Sequence, residues 1–127
     1  MTKNERRENK LWQACNPMLK ALGIHQTYHV GFVLKKVESG EQNRSEHPAI
    51  ATVENHYPYR RIVITVDPAW VDKANTYQLQ RTVLHEALHE IVYGWVRHHF
   101  HIGSTEILAE ENTVTLLEEW LMDNVDV

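Results

Sequence analysis

Residues 81–95 read Arg-Thr-Val-Leu-His-Glu-Ala-Leu-His-Glu-Ile-Val-Tyr-Gly-Trp. Leu84, Leu88, Ile91 and Trp95 recur at three- and four-residue steps and make one apolar stripe, which is helical periodicity. His85 and His89 are one helical turn apart, so both imidazoles leave the same face, away from that stripe. Upstream, Asn75 followed by Gln78 has the pattern of a capping box that opens the helix, which is expected to run to about Trp95.

The elements before it are strands. Residues 61–66, RIVITV, are β-branched and apolar on both faces, as expected of a strand central in its sheet. Tyr28 to Val37 alternates, with Tyr28, Val30, Phe32 and Leu34 on one side, and Ile50 to Glu54 is a shorter strand candidate. The polar stretch Glu38 to Pro48 between them reads as a loop. Asp67-Pro68 then has the form of a helix cap followed by proline at the first helical position, with one turn over Ala69 to Lys73. At the start of the chain, Asn4 to Leu22 is amphipathic through Leu11, Cys15, Met18 and Leu22, although Pro17 should kink or interrupt it. Beyond the central helix, Arg97 to Ser104 reads as a His-rich break. A last helix follows from about Thr105 to Leu121, apolar at Ile107, Val114, Leu117 and Leu121. Helix, three strands, helix, helix is an α+β order, expected as a single domain over residues 1–127.

Composition sets limits on function. Apolar residues are 43% of the chain and charged residues 24%, which suits one soluble core. The formal net charge of −4 is spread without long blocks, which argues against a nucleic-acid partner or a polybasic membrane anchor. A single cysteine, Cys15, permits no intrachain disulfide, and the opening MTKNERRENKLW lacks the apolar run of a signal peptide. No stretch approaches the roughly 20 apolar residues of a membrane span. The expectation is a cytoplasmic protein without a membrane or nucleic-acid partner.

The chemistry lies in His85-Glu86-Ala87-Leu88-His89, an HExxH motif. Two histidines at this spacing can reach one zinc ion at the roughly 2.0–2.1 Å that zinc–nitrogen bonds require. Glu86, one step around from His85, can stand beside the metal without binding it and accept a proton from metal-bound water. A catalytic zinc needs a third protein ligand and an open position. Candidates are Cys15, the cluster His98, His99 and His101, and the pair Glu110–Glu111 on the last helix. Trp95 occupies the position at which HExxHxxGxxH needs its third histidine, so that pattern fails. Adjacent glutamates diverge by about 100° on a helix, so only one of Glu110 and Glu111 can be a ligand, and periodicity does not choose between them.

HEALH followed by a helical Glu resembles the gluzincin zinc metallopeptidases, and is most similar to small phage-associated metallopeptidase-like proteins. The matching residues are Thr82, Leu84, His85, Glu86 and His89 (TxLHExxH), then Glu110, Glu111, Val114 and Leu117 (EExxVxxL), within about Arg81 to Asn124. The resemblance implies a minimal zincin-like core with Zn2+ held by His85, His89 and Glu111, Glu110 being the alternative. Thr115 stands where such proteins often carry an aspartate supporting a ligating histidine. The resemblance also implies an edge strand that binds extended peptide, and a location in the host cell if the chain is phage-encoded. Tyr93, four residues past His89, is a candidate oxyanion donor, as are the nearby histidines. The leading expectation is a zinc-dependent peptidase acting on a peptide or protein substrate, with Glu86 as general base. The alternative is a non-catalytic, zinc-stabilised binding or regulatory protein. Retention of Glu86 favours catalysis, because a structural zinc has no use for a base.

Overall fold

In a computed structural model, which describes residues 1–37, 50–56, 59–99 and 104–125, the strand over RIVITV is the middle of the sheet. Strands β1 (His29–Leu34), β2 (Ala51–His56) and β3 (Arg61–Val66) are ordered β1-β3-β2, with β1 parallel and β2 antiparallel to β3. Ile64 pairs with Phe32 on one side and Val53 on the other, and Val66 with Leu34 and Ala51. Because side chains alternate along a strand, these apolar residues line one face. Ile62, Ile64 and Val66 are fully buried there, while Val63 and Thr65 on the other face are half-buried.

Among the described residues, five helices accompany the sheet: α1 (Lys3–Ala21), α2 (Ile24–Thr27), α3 (Pro68–Lys73), α4 (Thr76–His99) and α5 (Ser104–Asn124). The architecture is mixed α+β, as the order of elements predicts. Leu11, Cys15, Met18 and Leu19 of α1 and Leu79, Val83, Leu84, Ala87 and Leu88 of α4 share the core with the buried face of β3. Among the described residues, no helix is long and apolar enough to cross a membrane.

The starts of the helices follow local chemistry. Asn75 and Gln78 exchange side chain-to-backbone hydrogen bonds of 2.8 and 2.9 Å, the reciprocal cap read from the sequence. Asp67 accepts from the Ala69 N–H at 3.0 Å and Pro68 begins α3. Two expectations are corrected. Pro17 does not break α1, which runs continuously to Ala21. Buried Met18 and Leu19 anchor that turn in the core, and Gln80 ties the preceding turn to α4 by donating to the Ala14 carbonyl at 2.8 Å. The break placed at Arg97 to Ser104 is also too long, because α4 continues to His99 and α5 already begins at Ser104.

Ile64 is central to this packing. Ile64→Ala should cost about 2–5 kcal/mol, the range for a large aliphatic side chain removed from a packed interior. Urea unfolding measures it; a loss below about 1 kcal/mol would mean that this sheet face is not the core.

Candidate metal centre

The two periodicities of α4 separate its tasks. Leu84 and Leu88 point into the core with Ile91 packed beside them, which turns His85 and His89 toward α5. On α5, Glu110, Val114, Glu118 and Met122 follow one another at four-residue steps and are all buried. Two glutamates therefore occupy the seam between the helices, where a purely structural contact would hold apolar groups. Glu111, beside this stripe, has a half-exposed side chain that reaches over to both histidines.

The donor atoms converge. His85 Nε2 lies 2.8 Å from Glu111 Oε1, His89 Nε2 lies 2.9 Å from Glu111 Oε2, and the two Nε2 atoms are 3.2 Å apart. The opposite side of each ring is also engaged. His85 Nδ1 donates to Glu118 Oε1 at 2.8 Å and His89 Nδ1 to Glu110 Oε2 at 2.7 Å. A carboxylate can only accept, so each Nδ1 must carry the proton, and in a neutral ring Nε2 is left as a bare lone pair. Two such lone pairs and an anionic carboxylate then face one point, which is repulsive unless a cation lies between them. Zinc suits this set: two donors at about 2.05 Å and the tetrahedral angle would stand about 3.3 Å apart. The Nε2–Nε2 separation of 3.2 Å is close to that edge length, while the two histidine–carboxylate separations of 2.8 and 2.9 Å are hydrogen-bond lengths. Carboxylates behind the ligating imidazoles are the usual means of fixing ring orientation and strengthening the donor.

Electrostatics carry the same message. Burial opposes charge on His89, but its hydrogen bonds to Glu111 and Glu110 outweigh it and lift the ring from 6.5 to about 9. For His85 burial again opposes charge and Glu111 overcomes it, so that ring is raised too. Hydrogen bonds from the two rings hold Glu111 well below the usual carboxylate range. Without a metal, the cluster takes protons as its cations. Glu86 is pushed up to about 7, mainly by burial, with the His85 and His89 charges opposing and those of Glu111 and Glu90 adding. A carboxyl near neutrality can both take and release a proton at physiological pH.

Among the described residues, His85, His89 and Glu111 form a three-donor group whose ligand atoms lie within 4.8 Å of one another. Glu110 is the partner of His89 Nδ1 and not a member of that group. Cys15 is removed from the candidates: it is fully buried in the α1 core face, and burial pushes its thiol up to about 12. His98 and His99 end α4, and Tyr93 lies one turn beyond His89; their side chains, like all of His101, fall outside the described residues. The carboxylate support that Thr115 cannot supply comes instead from Glu118 and Glu110. Glu118 is absent from the sequence reading, yet it left a signal, since it lies seven residues after Glu111 and four after buried Val114. No protein-family model, curated protein or solved structure matches this chain.

These shifts set a pH dependence in the presence of chelator. His89, raised to about 9, gives stability that is complete below about 6.5 and lost as pH rises through 9. Glu86, an acid raised to about 7, gives stability complete below about 4.5 and lost as pH rises through 7. Glu111 has the opposite sign, but its stabilising charge is lost only as pH falls below its ordinary 4.5. The unfolding free energy measured in urea should therefore fall steadily between about pH 4.5 and 9, with a slope approaching about 1.4 kcal/mol per pH unit for each proton. His89→Gln should flatten the upper half of that fall. A wild-type profile that is level or rising would contradict the assigned charges.

Proposed function

We propose that the protein is a zinc-dependent metallohydrolase with a minimal zincin-like core, and that its substrates are peptides. The observation that carries this reading is the convergence of His85 Nε2, His89 Nε2 and Glu111 on one point, each histidine being backed by a buried glutamate. When bound, zinc would lower the pKa of a coordinated water toward about 7 and polarise a carbonyl oxygen. The chain's own residues supply the rest. His85, His89 and Glu111 hold the ion with one direction open, on the side where Glu111 is 50% exposed. An open position distinguishes catalytic zinc sites from closed structural ones. Glu86 is the general base: it takes a proton from the attacking water and returns it to the leaving amine. Its burial raises its proton affinity, which favours taking up the proton in the first half of that exchange. Strand β2, the antiparallel edge strand that packs against α4, is the strand we assign to extended substrate.

The test joins metal binding to turnover. Purified protein should take up about one zinc per chain, and His85→Ala or His89→Ala should abolish it. Glu111→Gln should weaken zinc more than Glu110→Gln, because the first removes a ligand and the second a support. Glu86→Gln should keep zinc while hydrolysis of a peptide library falls by about 10²–10⁴-fold. Zinc retained by both histidine variants would sink the site. A wild type that binds zinc and cleaves nothing would turn the reading toward a zinc-stabilised binding protein.

A further inference from the structure

One group bound to this cluster remains without a role. Arg81 lies on α4 one turn before His85, so its side chain and the imidazole leave the same face of the helix. Both reach the same acceptor. Arg81 Nε donates to Glu118 Oε2 at 2.5 Å, and His85 Nδ1 donates to Glu118 Oε1 at 2.8 Å. Glu118 thus spends both oxygens on α4, and its side chain is only 7% exposed. A second guanidinium nitrogen of Arg81 is 3.4 Å from Glu119 Oε1. The arginine is itself 39% exposed, so it is anchored by these carboxylates at the rim of the seam.

We propose that Arg81 is a positioning residue for the metal, acting through Glu118 to set the orientation and donor strength of His85. This rests on the reading of His85 as a zinc ligand. The physical case has three parts. A carboxylate this buried needs a compensating positive charge, and a guanidinium supplies one that does not titrate away. A hydrogen bond to each oxygen fixes the carboxylate plane, so the Nδ1–H of His85 has one acceptor at one angle, and Nε2 is aimed accordingly. Finally, the hydrogen bonds that Arg81 makes toward α5 go to Glu118 and Glu119 and not to either histidine, so its influence on His85 passes through the carboxylate. A contact serving only to join α4 and α5 would not need to share its carboxylate with a ligand.

Zinc affinity, measured by competition with a chromophoric chelator, tests this through a double-mutant cycle. Arg81→Met should weaken zinc by about 10-fold, the lower end for residues that support a ligand from outside. Glu118→Gln should weaken it by at least as much. The double variant should bind zinc no more weakly than Glu118→Gln alone, because Arg81 acts only through that carboxylate. Arg81→Gln offers the same comparison if Arg81→Met folds poorly. Effects of the two substitutions that simply add would overturn the proposal. So would an Arg81 variant that melts earlier in chelator yet binds zinc as wild type does, since that is the mark of a structural contact. A wild type that takes up no zinc would overturn the metal reading itself and this inference with it, an outcome distinct from wild-type binding with no effect at Arg81.

Discussion

Two imidazole nitrogens held 3.2 Å apart, with a carboxylate across from both and a carboxylate behind each, require a positive charge among them. The seam between α4 and α5 is organised around this requirement. Leu84, Leu88 and Val114 all belong to one buried core, but the groups that bond across the contact of α4 with α5 are His85, His89, Glu110 and Glu118. Buried ionisable groups seldom improve stability over apolar residues of the same size, because their desolvation cost offsets most of the attraction. Under the proposed function, the cation accounts for charges at this seam that helix packing alone would not need.

The sheet serves the same end. The buried face of β3 gives α4 a platform, and the capping box at Asn75 fixes where its helical phase begins. From that point, ten residues bring His85 to the edge facing α5 and leave Leu84 in the core. Glu86 then falls between the two environments, half-buried, where loss of water raises its proton affinity without pairing it directly to either histidine. The same helical phase that packs the protein also separates the proposed ligands from the proposed base.

Much of this could be read from the residues alone, because short-range periodicity and capping chemistry are local. The alternating Val30, Phe32 and Leu34, the β-branched run of β3 and the Asn75–Gln78 pair all behave as their local patterns predict. Glu111 as the candidate third donor came from resemblance, since the angular positions of Glu110 and Glu111 on α5 do not choose between them until α4 is placed opposite. Glu118 and Arg81 stayed hidden for another reason. Each looks like a solvated helix charge in sequence, and their roles arise only when residues 37 positions apart meet. Pro17 shows the converse limit: a strong local rule for breaking a helix yields when buried neighbours hold the turn in place.

The central claim is that one zinc ion sits between His85, His89 and Glu111. Zinc K-edge X-ray absorption on the loaded protein addresses it most directly, because the spectrum reports the identity, number and distance of the ligand atoms. The account predicts a four- or five-coordinate site with imidazole scattering from two rings and light oxygen or nitrogen neighbours at about 2.0–2.2 Å. A sulfur neighbour at about 2.3 Å, or a shell of oxygen alone without imidazole scattering, would contradict it.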